Sequence, residues 1–179
     1  PDYPKPDFNR FVWRTPLRMA DRAATGRHDP SWQRALDHPS HDAFWESASV
    51  RDNIAKIRVP VFAVGGWYDN YVVGDLDAFV LLRKLNRANR LIVGPWPHNM
   101  SYKFDGVDFG PESRIPLRKL QFDWFDYWLR GSATPPSSPP LRYFVMGLNQ
   151  WREASEWPPR NVREVPMYLS SRGHANTAA

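Results

Sequence analysis

The sequence predicts an α/β fold that is organised around a buried parallel sheet. Two short runs, residues 59–66 and 90–93, are continuously apolar, which is typical of strands buried on both faces. A helical apolar pattern over residues 72–85 separates them, so the three segments follow the order of a βαβ unit. The carboxyl ends of parallel strands meet at one edge of a sheet. Residues that follow the two strands are therefore expected to face each other.

Residues 1–58 predict a set of short helices without a strand pattern. Pro16 interrupts a helical segment that Asn9 is placed to cap. Further helices are expected to begin near Asp29 and near His41, and another covers residues 50–57, where apolar residues recur at helical spacing. Short helices ahead of a strand are typical of an insertion or cap. We therefore assign residues 1–58 to a helical cap segment.

One long helix is predicted after the second strand. A wide apolar stripe runs over residues 113–129 and must pack on another element, most simply the sheet. Gly131 is placed to end this helix. Residues 59–131 are therefore expected to form the α/β part of the chain.

The character of the sequence changes at the Ser/Thr/Pro-rich residues 132–140, which predict a linker. Residues 141–146 and 162–169 then have the composition of strands, with Trp151 and Trp157 in the loop between them. Two strands alone cannot bury a core. We therefore expect residues 141–179 to begin a separate, truncated β domain.

Composition restricts the possible functions. The chain of 179 residues contains no cysteine, which excludes disulfides, thiol nucleophiles and Cys-ligated metals. The net charge is +5, but the basic residues are scattered, which favours a solvated surface over a nucleic-acid partner. No apolar run reaches the ~20 residues of a membrane span. We expect no cofactor, no nucleic acid and no membrane partner; the compartment stays open, with a preference for the cytoplasm.

Each of the two strands leads into a side chain that can take part in proton transfer. The sequence GGWYD at residues 65–69 ends in Asp69, and GPWPH at residues 94–98 ends in His98. Alone, Asp69 can be explained as a helix cap and His98 as an ordinary loop residue. Together and in this order, they match the last two members of a Ser-Asp-His triad, in which the carboxylate orients the imidazole.

The sequence lacks a recognisable nucleophile. No G-x-S-x-G string occurs in the chain, and its serines lie in predicted helices or polar loops. No donors for an oxyanion hole can be identified either. The predicted triad is therefore incomplete within these residues.

Two other clusters have ordinary explanations. The residues His38, His41 and Asp42 fit no standard zinc spacing, so we predict no metal site there. The tryptophans could form a platform for sugars or nucleic acid. We favour a structural interpretation, in which Trp124 and Trp128 belong to the core.

These motifs resemble the cocaine esterase / X-prolyl dipeptidyl peptidase family of α/β-hydrolases. Residues 65–69 and 94–98 resemble its catalytic Asp and His motifs, and residues 38–45 (HPSHDAFW) resemble its cap segment. Residues 122–131 resemble the last helix of its hydrolase domain, and residues 144–158 resemble the entry into its jelly-roll domain. The resemblance implies a partial α/β-hydrolase fold with a helical cap segment, followed by the first strands of a truncated jelly roll.

The resemblance implies a serine hydrolase that cleaves an ester or an X-prolyl peptide by acyl transfer. Asp69 would orient the imidazole of His98, which acts first as general base and then as general acid. Trp67, Tyr68 and Trp96 would line the substrate pocket. The nucleophile and an oxyanion-hole tyrosine would lie in an N-terminal half that is missing here, so we expect the isolated chain to be inactive. The implied partners are a small ester or short peptide, the missing half and, left open, a second copy of the chain.

One departure from the family pattern bears on the substrate. Amino-acid ester hydrolases of this family carry acidic residues two and three positions after the catalytic Asp, where this chain has Tyr71 and Val72. This favours a neutral acyl or aryl ester or amide over an amino-acyl substrate. X-prolyl peptidase activity is a weaker alternative.

The competing interpretation is a non-catalytic hydrolase scaffold or an aromatic-rich binding module. A serine elbow encoded upstream of Pro1 would favour the enzyme. A start codon close to Pro1 would favour the module.

Overall fold

The computed structural model describes residues 13–85, 87–132 and 139–168. The chain divides into two compact units, Pro1–Lys56 and Ile57–Ala179. The first unit is helical in its described part, and the second contains the sheet. Within the described ranges, no helix combines the length and apolar character needed to cross a membrane.

The helical unit contains the short helices that were predicted to begin near Asp29 and His41 and to cover residues 50–57. Its α-helices are α1 (Ala20–Thr25), α2 (Pro30–Asp37), α3 (Ala43–Ala48) and α4 (Val50–Asn53). Single 3₁₀ turns lie at Leu17–Met19 and Ile54–Lys56. The side chains of Asp29 and Asp42 accept N–H bonds at the starts of α2 and α3, as expected of N-caps. The segment predicted to be capped by Asn9 lies largely outside the described residues.

A buried carboxylate holds α1 to the start of α2. Asp21 accepts hydrogen bonds from the backbone N–H of Asp29 at 2.8 Å and from the side-chain amide of Gln33 at 2.9 Å. The ring of His28 lies 3.3 Å from the same carboxylate. Burial opposes ionisation, but the donors, with Gln33 foremost, lower the pKa of Asp21 to about 2. The hydrogen bonds thus compensate for placing a charge inside a small unit.

The second unit is built on a four-stranded mixed sheet. Its strands and helices are β1 (Val61–Gly66), α5 (Val72–Lys84), β2 (Asn89–Gly94), β3 (Lys103–Phe104), β4 (Val107–Asp108), α6 (Leu117–Arg130), β5 (Leu141–Val145) and β6 (Gln150–Ala154). The strand order is β1-β2-β5-β6. The first two pairs are parallel and the last is antiparallel. The predicted strand–helix–strand order of β1, α5 and β2 is confirmed.

Strand β2 is the centre of the core. Its alternating side chains enter two apolar clusters on opposite faces of the sheet. Leu91 and Val93 pack with Phe79 of α5, whereas Ile92 packs with Ile115 in the second cluster, which also receives side chains from the start of α6. Because both faces are covered, every residue of β2 is buried. This explains the continuous apolar run in the sequence.

The long helix begins later than predicted. Pro111–Ser113 forms a 3₁₀ turn, and α6 starts at Leu117, directly after Pro116. Proline fits the start of a helix but not its interior, because it lacks an N–H and its ring clashes with the preceding turn. The predicted end is confirmed, since Gly131 caps the helix with a φ of 70°.

The predicted separate β domain is wrong for residues 141–154. Strand β5 pairs with β2, with Leu141 opposite Leu91, and therefore extends the same sheet. Trp151, expected in a loop, lies in β6 opposite Phe144. Residues 162–168 form no strand, and Leu169 lies outside the described residues. The backbone groups at the second edge of β2 pair with a strand that is distant in sequence, and local sequence patterns do not reveal such a pairing.

The contact between Gly66 and Trp96 can be tested by substitution. A Cβ on Gly66 would overlap the carbonyl oxygen of Trp96, whereas a Cβ on Gly74 in α5 meets no atom within 4 Å. We expect Gly66→Ala to lower the free energy of unfolding by about 1–3 kcal/mol. The control Gly74→Ala should raise it by about 0.5–1 kcal/mol, because alanine favours the helix. Urea unfolding of both variants checks this; equal effects would contradict the close packing.

Candidate active site

The loop after β1 continues the pairing with the segment after β2. The N–H of Trp67 donates to the carbonyl of Gly94 at 2.8 Å, and the N–H of Tyr68 donates to the carbonyl of Trp96 at 3.1 Å. The N–H of Asp69 then turns back to the carbonyl of Gly66 at 2.9 Å. These bonds hold Asp69 at the carboxyl edge of the sheet.

The segment after β2 is fixed by a buried indole. Trp96 has no exposed surface, and its N–H donates to the carbonyl of Ser113 at 3.2 Å. The indole occupies the space that a Cβ on Gly94 would fill. Only glycine therefore permits this packing, which brings the chain back to the sheet edge just before His98.

Asp69 and His98 meet at this edge. Nδ1 of His98 lies 2.9 Å from Oδ2 of Asp69, while Oδ1 of Asp69 accepts the backbone N–H of Tyr71 at 3.0 Å. The Asp69 side chain is 8% exposed and that of His98 is 74% exposed. Among the described residues, none forms a hydrogen bond with Nε2 of His98, and this includes the serine hydroxyls. The arrangement leaves one ring nitrogen available for proton transfer.

The environment of Asp69 favours its ionised form. The N–H of Tyr71 is the largest cause of a lowered pKa of Asp69, and the hydrogen bond and charge of His98 act in the same direction against burial. The ring of Tyr71 also contacts the imidazole edge-on, with centroids 5.1 Å apart. A carboxylate held in this state can orient a neutral imidazole and stabilise an imidazolium.

A second carboxyl group lies beside the site and was not predicted as part of it. Asp75 lies in the first turn of α5, and its Oδ2 occupies the space that a Cβ on Gly65 would fill. Burial, followed by the negative charge of Asp69, raises the pKa of Asp75. The helical pattern over residues 72–85 places Asp75 in the first turn of α5, but that pattern does not show that its side chain reaches the strand.

The predicted pocket residues divide into structural and exposed groups. Trp96 is completely buried, so the prediction that it lines a pocket is wrong for this structure. Trp67 donates from its indole N–H to the carbonyl of Phe144 at 2.7 Å, which makes it a bridge between β1 and β5. Tyr68 is 46% exposed and packs edge-on against Phe104. Of the three, Tyr68 has the most exposed side chain, and Trp67 is partly buried.

His38 and His41 of the helical unit pair with separate carboxylates. His38 contacts Asp42 at 2.7 Å, and His41 contacts Asp52 at 2.9 Å. Within the described parts of the chain, no group of three potential ligands converges on one point.

The pairing of Asp69 with His98 can be tested through the carboxylate. Because the folded-state pKa of Asp69 lies below its ordinary value of 3.8, its contribution to stability is complete above that value and is lost as pH falls through the folded-state pKa. His98→Ala should move the pKa of Asp69 back towards 3.8 without reaching it, because the N–H of Tyr71 remains. A ¹³C NMR titration of the carboxyl group checks this. His41→Ala is the control, and equal titration curves for His98→Ala and the unmodified chain would contradict the pairing.

The family model for the X-Pro dipeptidyl-peptidase (S15 family) matches residues 3–100. The chain is also 34% identical over 171 residues to the cocaine esterase of Rhodococcus sp. (strain MB1 Bresler), which covers 92% of this chain and 29% of the esterase. The chain therefore spans less than one third of that relative.

Solved structures support the fold. An aminopeptidase from a marine sediment archaeon, Thaumarchaeota archaeon, superposes with a TM-score of 0.70 at 19% identity, covering 88% of this chain and 28% of the other. A CocE/NonD family hydrolase from Staphylococcus aureus gives a TM-score of 0.59 at 19% identity, with the same coverage. The family model matches more than half of the chain, and Asp69 lies against His98 at the carboxyl edge of the sheet. The chain therefore belongs to the X-Pro dipeptidyl-peptidase (S15) family of α/β-hydrolases.

Proposed function

We propose that this chain supplies the Asp and His of a serine hydrolase that cleaves esters or amides by acyl transfer. The observation that carries the proposal is the 2.9 Å contact between Asp69 and His98 at the ends of two paired parallel strands. The nucleophilic serine would come from outside these residues, because the chain contains no G-x-S-x-G string.

The proposed mechanism has two steps. Nε2 of His98 takes the proton of the serine hydroxyl as the oxygen attacks the substrate carbonyl, and the imidazolium then protonates the departing alcohol or amine. In the second step, water attacks the carbonyl of the acyl-enzyme while Nε2 of His98 accepts its proton. The imidazolium then protonates the serine oxygen as the acid is released. Asp69 stays ionised throughout, in agreement with the lowered pKa of its carboxyl group.

Neutral esters are the substrates that the site favours. The positions two and three after Asp69 carry Tyr71 and Val72, so these positions offer no carboxylate to a substrate ammonium. The relative at 34% identity is an esterase that is named for cocaine. The family match to X-Pro dipeptidyl-peptidases supports peptide hydrolysis as the second candidate.

The proposal assigns no activity to the chain alone. The chain contributes a proton acceptor and the carboxylate that orients it. The nucleophile and the oxyanion-hole donors would come from other parts of a longer hydrolase. Ester hydrolysis by the isolated chain that is abolished by His98→Ala would contradict this part of the proposal. If a longer protein containing this chain has no serine elbow, the alternative of a non-catalytic scaffold is favoured.

The role of Asp69 can be tested in a longer protein that contains this chain and a serine elbow. Asp69→Asn should lower turnover about 10⁴-fold, because the imidazole loses the partner that fixes its tautomer. The control is Asp123→Asn, which removes an exposed carboxylate paired with Lys119 on α6. Steady-state ester hydrolysis provides the measurement. A loss of less than tenfold would remove Asp69 from the triad.

The substrate preference can be tested at Tyr71. In the same longer protein, Tyr71→Asp should raise kcat/KM for an α-amino ester relative to its neutral counterpart by about tenfold, because a carboxylate beside the site can pair with the ammonium. Tyr71→Asn is the matched control, since it has the same shape without the charge. If both variants change the ratio equally, the charge at this position does not set the preference.

A further inference from the structure

A surface cleft of about 340 Å³ lies between α5 and the segment after β6. Its helix side is formed by Phe79, Arg83 and Lys84, and its other side by Trp157 and Arg160. None of these residues belongs to the Asp69–His98 arrangement. The cleft therefore has to be explained separately.

The aromatic wall of the cleft is held rigidly. The ring of Trp157 packs edge-on against Tyr143, with centroids 5.7 Å apart, and lies tilted against the ring of Trp67, with centroids 5.8 Å apart. Phe79 is 3% exposed and belongs to the main core. A flat apolar group in the cleft would thus meet a wall that is already fixed by the fold, so little ordering is needed for binding.

The cleft carries more positive than negative charge. Nε of Arg160 pairs with Oε1 of Glu156 at 2.7 Å, which neutralises both groups. Within the described part of the chain, Arg83 and Lys84 have no carboxylate within ion-pair distance. Their place in the last turn of α5 suits the negative end of the helix dipole. That explanation accounts for their position on the helix, but not for the aromatic cleft that they border.

We propose that this cleft binds a small organic anion, a carboxylate or phosphate carried on a flat apolar group. The guanidinium of Arg83 offers paired N–H donors that match the oxygens of either anion, and Lys84 adds a second cation. The apolar part of the ligand packs on the partly exposed ring of Trp157. The volume is in the range of small-molecule sites. The proposal requires no nucleophile and stands apart from the hydrolase reaction.

The test uses the 179-residue chain and three probes of similar shape: benzoate, phenyl phosphate and neutral benzamide. Each is titrated at low ionic strength while ¹H–¹⁵N NMR follows the indole N–H of Trp157 and the amides of Arg83 and Lys84. We expect saturable shifts there with the two anions and at least tenfold weaker binding of benzamide. The tighter of the two anions identifies which head group the cleft prefers.

Matched double variants test the role of charge. Replacing Arg83 and Lys84 by Gln should weaken anion binding at least tenfold. The same replacement of Arg118 and Lys119, an adjacent Arg-Lys pair on α6, should leave it unchanged. Lys84→Arg preserves the charge and should retain binding, which separates loss of charge from loss of fold. Equal binding of benzamide, equal effects of the two double variants, or shifts confined to the loops around Asp69 and His98 would overturn the proposal.

Discussion

The parallel pairing of β1 with β2 is the interaction on which the rest of the structure depends. The register from Val61 opposite Asn89 to Gly66 opposite Gly94 brings both strands to an end at the same level. Two further backbone bonds, from Trp67 and Tyr68, carry the pairing past the strands. A shift of register by one residue would turn the apolar side chains of β2 to the wrong faces. The placement of Asp69 against His98 is therefore a consequence of how the core is packed.

The carboxyl edge also holds two carboxyl groups in different environments. Asp69 accepts a backbone N–H and faces an imidazole, and the pKa of Asp69 is lowered. Asp75 lies in the gap left by Gly65, close to the charge of Asp69, and the pKa of Asp75 is raised. When the pKa values of two neighbouring carboxyl groups shift in opposite directions, the two groups often have different functions. Here they leave Asp69 as the permanent anion that faces the histidine.

Local sequence patterns were sufficient for the elements that form the site. The continuous apolar runs predicted β1 and β2, the helical stripe predicted α5, and the order of Asp69 and His98 predicted their approach. The indoles were less predictable, because a tryptophan near a strand end can face solvent or the core. Trp96 is buried since Gly94 leaves room for its ring. That contact depends on a fold-back of the chain that no local pattern specifies.

Features that depend on distant parts of the chain were missed. Strand β5 joins β2 across the linker region, and its position in the sheet is set by the open edge of β2. Its sequence alone suited a separate β domain equally well. The role of Asp75 was ambiguous in the same way, because the residue that makes room for its carboxyl group is Gly65, which lies in β1 and not in the helix. Both cases were decided by tertiary packing instead of by local propensity.

The central claim is that this chain holds the His98 imidazole in the orientation of a general base. The most direct measurement is the ¹⁵N and ¹H NMR spectrum of the His98 ring at a pH where the imidazole is neutral. We expect the proton on Nδ1, with a downfield signal from its bond to Asp69, and Nε2 unprotonated; Asp69→Asn should abolish the downfield signal. A proton on Nε2, or no downfield signal in the unmodified chain, would contradict the account.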